Sequence, residues 1–283
     1  MRMKTLIFPV LGGRGNRYFQ LNAAISIALS QQFDRVLCLV RNNEDFCFED
    51  IDIDINSPLL SELKFEYLRV EGRADRLVWK LIHIQIRLAL GSFLLKSFLL
   101  SCTGTALTFI LAFQLRERVR VVASDNIGFV ETENKGTSIL CIGYFQSSKY
   151  GTYVKQLYRR DEEKPITTQC NKESKRVMIH LRKGDYKFSP ELGILAPAYY
   201  AKIIDDLMQE NTLLHFSIFS DEELDEEIVQ DVVGRKSFNL DVNLYPGNLY
   251  GDKVSFALMS EHFDYYIIAN SSFSYWAAVI GQS

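Results

Sequence analysis

Short apolar runs alternate along the chain with longer stretches whose apolar residues recur every three or four positions. The first run, Thr5–Val10, reads as a buried strand and ends in the turn L-G-G-R-G-N-R, Leu11–Arg17. Phe19, Ala23, Ile27 and Leu29 then mark one face of a helix from about Asn16 to Gln32, and Arg35–Val40 is a second buried strand. Strand, helix, strand in this order starts a parallel sheet. Ile51–Asn56 alternates strictly, which predicts a half-buried strand with Asp52 and Asp54 facing outward. Leu77–Leu100 is helical in pattern, with Lys80, Arg87 and Lys96 among its apolar residues. The uncharged run Ser97–Phe113 falls short of the ~20 apolar residues of a membrane span and contains Ser101, Thr103, Gly104, Thr105 and Thr108. It reads as a buried helix of a first domain in preference to a membrane-contacting one. Val119–Ser124 and Ile139–Ile142 are further strands.

Arg159–Arg176 is dominated by charged and polar residues, contains Pro165, and reads as a linker. Beyond it the pattern restarts. Val177–Leu181 and Leu213–Phe219 read as strands, with a helix at Pro197–Glu210 between them. Ser220 or Asp221 can cap an acidic helix over Leu224–Val233. A short strand within Ser237–Leu244, a helix at Val254–Ser260 and a strand at Tyr265–Ala269 complete the series, the last leading through Asn270–Trp276 into another apolar helix. The expected fold class is therefore α/β, with two Rossmann-like domains facing a cleft, residues 1–160 and residues 165–283.

Composition narrows the function. The chain has 283 residues, 47% of them hydrophobic, and a net charge of -3, which argues against non-specific nucleic-acid binding. Cys38, Cys47, Cys102, Cys141 and Cys170 form no CxxC pair, and His83, His180, His215 and His262 form no ligand cluster, so no metal site is expected from them. The N-terminus begins like a signal peptide, but its apolar run is short and Gly12-Gly13 interrupts it. A cytoplasmic protein is the expectation.

The richest stretch is V-M-I-H-L-R-K-G-D-Y, Val177–Tyr186, which sets His180, Arg182, Lys183 and Asp185 around Gly184 at a strand end. Ligands of open α/β sheets bind outside the carboxyl ends of strands, and a guanidinium fork beside an ammonium suits phosphate oxygens. The turn Leu11–Arg17 also places backbone donors at a helix start, with Arg14, Asn16 and Arg17 beside it, although it is neither a GxGxxG fingerprint nor a P-loop. Asp52 and Asp54 form a DxD, a spacing used to hold divalent cations in some sugar transferases, but the strand alternation accounts for both.

Four stretches together carry a resemblance. L-G-G-R-G-N-R-Y-F-Q (Leu11–Gln20), G-Y-F-Q-S-S-K-Y (Gly143–Tyr150), H-L-R-K-G-D-Y (His180–Tyr186) and I-I-A-N-S-S-F-S-Y-W (Ile267–Trp276) are similar, in order along the chain, to motifs of the bacterial α-1,2-fucosyltransferases of glycosyltransferase family eleven. F-S-I-F-S-D-E (Phe216–Glu222) fits the same family. The resemblance implies a GT-B arrangement, GDP-fucose as donor, no metal or other cofactor, inversion at the anomeric carbon and a galactose-terminated glycan as acceptor in bacterial surface polysaccharide (O-antigen) synthesis. It further implies that Arg182 binds the pyrophosphate and stabilises the leaving group, and that His180, Lys183, Gly184, Ser271, Ser272 and Phe273 surround the donor. Asn16 would face the donor sugar and acceptor, and Asp185 is a candidate general base, with a structural role in the turn as the alternative.

Departures are visible too. Lys183 stands where the family has a second arginine, Arg14 and Arg17 replace the Leu and Gln of G-G-L-G-N-Q, and Tyr275 replaces a Trp. Ser255 stands where an acid is expected, with Asp252 nearby, and the last Rossmann unit looks truncated at Ser283. Two alternatives stay open: a catalytically inactive relative that binds a nucleotide sugar or glycan, and a metal-dependent transferase using Asp52 and Asp54. Peripheral contact with the inner membrane is a further possibility for Ser97–Phe113.

Overall fold

The structure is a computed structural model and describes residues 3–41, 51–70, 73–90, 96–116, 118–123, 138–159, 174–188, 193–210, 213–233, 241–247, 249 and 251–282. The chain divides into two compact units, Met1–Arg159 and Arg160–Ser283. Each is α/β around a parallel sheet, as the alternation of apolar runs and helical stretches predicts. Most of the expected linker, residues 160–173, lies outside the described residues, as do Cys47 and Cys170.

In the first unit the strands are β1 (Thr5–Pro9), β2 (Arg35–Val40), β3 (Lys64–Arg69), β4 (Val119–Ala123) and β5 (Ser138–Ile142), ordered β3-β2-β1-β5-β4. Every pairing is parallel. The chain therefore reverses its direction of winding between β1 and β5. Helix α1 (Arg14–Ser30) packs on β1 and β2. Helices α2 (Arg73–Leu90) and α3 (Lys96–Leu115) pack together, burying Val78, Ile82, Leu107 and Leu111 against Ile7, Leu37, Leu39 and Leu140. Because strand side chains alternate, this set uses one face of the sheet and leaves Leu6, Phe8, Val36 and Cys38, also buried, for the other. A short helix, α4 (Tyr153–Leu157), packs against α1.

Three expectations are corrected in this unit. Ile51–Asn56 is not a strand: Asp52 sits at φ +55°, and Ile53 makes only an isolated antiparallel bridge to Tyr158. Ile51 and Ile53 go into the core, while each aspartate meets an arginine, Asp52 with Arg14 at 3.2 Å and Asp54 with Arg159 at 2.6 Å. An irregular segment thus satisfies the same alternation as a strand would, and the third strand of the sheet is β3. Leu77–Leu100 is not one helix but the end of α2 and the start of α3, with residues 91–95 outside the described residues. The stretch Ser97–Phe113 is helical but not buried: only its inner stripe is covered, and Phe98, Phe109 and Phe113 are exposed.

In the second unit β6 (Lys175–Leu181), β7 (Leu214–Ser220), β8 (Asp241–Pro246) and β9 (Tyr265–Ile267) are ordered β8-β7-β6-β9, again all parallel. Counted within the unit this is 3-2-1-4, the start of the Rossmann order, with its switch point between β6 and β9. Helices α5 (Pro197–Glu210) and α6 (Glu226–Val233) cover one face, burying Tyr200, Ile204, Val232 and Val233 against Val177, Ile179, Phe216 and Ile218. Helices α7 (Asp252–Met259) and α8 (Ser272–Gly281) pack on each other and bury Phe256, Met259, Trp276 and Ala277. The cap expected of Ser220 or Asp221 is instead supplied by Asp225, whose Oδ1 accepts from Ile228 N–H at 2.7 Å. Asp221 has another partner.

Candidate functional site

The end of β6 is where the second unit concentrates its chemistry. Apolar residues Val177 and Ile179 anchor the strand in the core, and the chain then delivers His180, Arg182, Lys183, Gly184 and Asp185 at the carboxyl edge. His180 is 3% exposed, and its backbone carbonyl accepts from the Tyr200 hydroxyl at 3.2 Å. Burial first, and the Arg182 guanidinium second, push its imidazole down to about 4, against a smaller opposing pull from Asp221. The ring is therefore neutral near pH 7. Its Nδ1 and Arg182 Nε are both buried and have no hydrogen-bond partner among the described residues.

Arg182 is held from two sides. Its Nη1 lies 3.2 Å from Asp221 Oδ2 and its Nη2 lies 2.9 Å from Asp185 Oδ1, while its guanidinium stands 5.5 Å over the Tyr186 ring. The two carboxylates differ in exposure: the Asp221 side chain is 17% exposed and that of Asp185 is 65% exposed. Asp221 also accepts the backbone N–H of Lys183 through Oδ1 at 2.9 Å, so one carboxylate fixes both the turn and the arginine. Gly184 is required beside it, since a Cβ there would lie 2.6 Å from Asp221 Oδ2. Asp185 opens a single 3-10 turn, Asp185–Phe188, whose Lys187 pairs with Glu222 at 2.6 Å.

Across the switch point, β9 leads into the start of α8. Ser271 caps this helix by accepting from Phe273 N–H at 3.3 Å, which explains its burial. The Tyr186 hydroxyl donates to the Asn270 carbonyl at 3.0 Å and also meets the Ser271 side chain, and burial raises its pKa, keeping the phenol protonated. Phe273 places its ring 6.1 Å from that of His180 and 5.1 Å from that of Phe256. The turn after β6 thus meets the start of α8 through His180 against Phe273 and Tyr186 against Asn270 and Ser271, and the dipole of that helix favours an anion at its N-terminus.

Asn16 belongs to the other unit. Gly12 turns at φ +72° and a Cβ there would lie 2.7 Å from Asn16 Nδ2, so Gly12 lets Asn16 fold back over the turn. Asn16 Oδ1 accepts from Gln146 Nε2 at 2.8 Å, joining the loop after β1 to the loop after β5 across that unit's own switch point. Arg17 Nε donates to the Gly12 carbonyl at 2.9 Å, and Arg14 is drawn to Asp52. Neither arginine serves as the open donor beside the turn that the sequence suggested. Beneath them Gln20 ties the two loops, accepting from Leu11 N–H and donating to the Gly143 carbonyl.

Three residues of these sites escaped the sequence reading: Asp221, Tyr186 and Gln146. All three lie inside stretches already singled out, Asp221 in F-S-I-F-S-D-E and as a candidate helix cap, but none of them was given a role at the site.

No family model matches the chain. Among known proteins, the sequence is 30% identical over 156 residues to an α-1,2-colitosyltransferase of Escherichia coli, the match taking in 50% of this chain and 51% of that protein. The chain thus matches about half the length of this relative. A glycosyl transferase of family 9 from Veillonella parvula DSM 2008 superposes with a TM-score of 0.46 over 95% of this chain and 76% of its own, at 10% identity. That likeness is too loose to carry over a site or a reaction.

Proposed function

We propose that this chain is a glycosyltransferase that moves L-fucose from GDP-fucose to a hydroxyl of a galactose-terminated glycan, in an α-1,2 linkage, with inversion and without a metal. The observation that carries the reading is the position of Arg182 at the end of β6, oriented by Asp221, close to a buried neutral imidazole and over Tyr186, whose hydroxyl reaches the Asn270 carbonyl before α8. The half-length similarity to an α-1,2-colitosyltransferase supports sugar transfer in that linkage. Colitose is L-fucose without the hydroxyl at carbon three, so the same site chemistry serves either sugar, and the donor assay has to include both.

Transfer would run as an in-line displacement. The acceptor oxygen bonds to the anomeric carbon as the bond from that carbon to the β-phosphate oxygen breaks, the electron pair leaving with GDP. Charge therefore concentrates on the diphosphate, where fixed donors contribute most. Arg182 offers two parallel donors to it, and the N-terminus of α8 adds its dipole. Asp221 stays behind the guanidinium as its orienting partner. Asp185, the exposed partner, is the one a diphosphate displaces, which leaves its carboxylate able to take the acceptor's proton. His180, uncharged, can hydrogen-bond the nucleotide without competing with Arg182. Lys183 brings a second positive charge beside the diphosphate. In the first unit, Asn16 and Gln146 would orient sugar hydroxyls.

The test is release of nucleoside diphosphate from GDP-fucose, GDP-colitose, GDP-mannose and UDP-galactose with a panel of galactosides, with and without EDTA. Turnover confined to the GDP-linked deoxy-sugars, with an α-1,2 product and no loss in EDTA, is the expected result. Binding of GDP without turnover of any donor would instead favour the inactive-relative alternative, and loss in EDTA the metal-dependent one.

A further inference from the structure

Helix α3 is apolar all round, and a helix of that kind is ordinarily covered on every side or set against lipid. Its inner stripe, Leu100, Gly104, Leu107 and Leu111, is accounted for. Leu107 and Leu111 are fully buried, Gly104 lies close to Gln85 and Val121, and Gln85 donates to the Leu100 carbonyl at 2.8 Å and to Thr103 Oγ1 at 2.6 Å. The opposite stripe, spaced by three and four, is Phe98, Cys102, Thr105, Phe109 and Phe113, ending near Arg116. Phe98 is 65% exposed, Phe109 73% and Phe113 89%, a concentration of exposed rings that a water-facing helix does not need.

Charge says what covers it. Residues 73–120 hold eight Lys and Arg against two Asp and Glu, a local charge of +6 in a chain whose net charge is -3, which leaves -9 for the remainder. On α2, packed beside α3, Arg76, Lys80, His83 and Arg87 form an exposed stripe at helical spacing. His83 registers the local field: burial first, then Arg41 and Arg87, lower its pKa. A second copy of this chain would set such cations against their own kind, whereas an anionic lipid surface complements both the charge and the rings. Anchorage of the inner stripe on α2 and β4 keeps α3 lying along such a surface; it does not cross it.

We propose that α3 and the basic stripe of α2 form a docking face for an anionic membrane surface, with Phe98, Phe109 and Phe113 entering the headgroup region. The test is flotation of the purified full chain with vesicles of phosphatidylcholine mixed with phosphatidylglycerol, and with vesicles of phosphatidylcholine alone. Binding to the mixed vesicles only is expected. Combined Phe98→Ser, Phe109→Ser and Phe113→Ser should weaken it by at least about tenfold, since each ring removes apolar area from the interface. Lys80→Ser with Arg87→Ser should weaken it by about tenfold without touching the rings. Failure to float with the mixed vesicles, or flotation unchanged in the triple variant, would overturn the proposal. So would a dimer in sedimentation equilibrium that the triple variant converts to monomer, which would assign the face to a second copy.

Discussion

The loops after β1 and after β6 leave equivalent points of two parallel sheets, each joined across a switch point to the loop of a later strand. Their cations end differently. In the first unit Arg14 pairs with a poorly exposed aspartate, Arg17 folds onto the Gly12 carbonyl, and the polar group left at the turn is an amide pair, Asn16 and Gln146. In the second unit Arg182 is oriented by the poorly exposed Asp221 on one side and met by the exposed Asp185 on the other. One scaffold thus offers neutral hydrogen-bonding groups at one switch point and an oriented cation at the other. The difference lies in where carboxylates fall in the sequence, not in the topology.

Breaking the second site should cost most. Arg182→Ala should lower turnover by about a hundred- to a thousand-fold, the range for removing a fixed donor to a developing anion, with little change in thermal stability. Near-normal turnover would remove the basis for assigning the leaving group to β6. The neutral state of His180 predicts the next effect. Its folded pKa is lowered from 6.5 to about 4, so the unfolded chain takes up the proton first as pH falls. Stability should therefore be full above pH 6.5 and decline between 6.5 and 4, by roughly 3 kcal/mol at most. Urea titrations of wild type and His180→Gln across that window check it, the variant losing that part of the slope.

In the first unit, Asp52→Ala should destabilise the fold by about 1–3 kcal/mol, because it removes the carboxylate from the poorly exposed Arg14 guanidinium, and should leave GDP affinity unchanged. A loss of metal-dependent activity instead would revive the DxD as a ligand pair. The smallest effect is expected of Asn16→Ala: an acceptor KM raised about several-fold, the cost of one hydrogen bond, with GDP binding intact. Steady-state kinetics varying acceptor and donor separately would expose the reverse pattern.

How much of this could be read from the sequence follows from what each residue's role depends on. Strands β1, β2 and β6 are buried on both faces over most of their length and stand out by their apolar runs, while β7 is fully buried although His215 and Ser217 interrupt its run. Residues 51–56 misled because alternation records only which side chains are buried, and an irregular chain with inward isoleucines and arginine-paired aspartates writes the same pattern. Composition described α3 as apolar but could not say whether its outer face is covered; that depends on neighbours. Asp221 was hidden for a related reason. It acts on Lys183 and Arg182 from the adjacent strand, 38 residues from Lys183, a proximity created only by the pairing of β7 with β6. His180, Arg182 and Gly184 were legible because strand, turn and charge coincide in one short stretch.

The central claim is that the anion belongs to the second unit through Arg182. Calorimetric titration of GDP into the full chain, Arg182→Ala and Asn16→Ala tests it most directly. The account predicts an affinity about tenfold or more weaker in Arg182→Ala, the worth of one charge-assisted pair, and unchanged in Asn16→Ala. GDP binding that survives Arg182→Ala and fails in Asn16→Ala would contradict it.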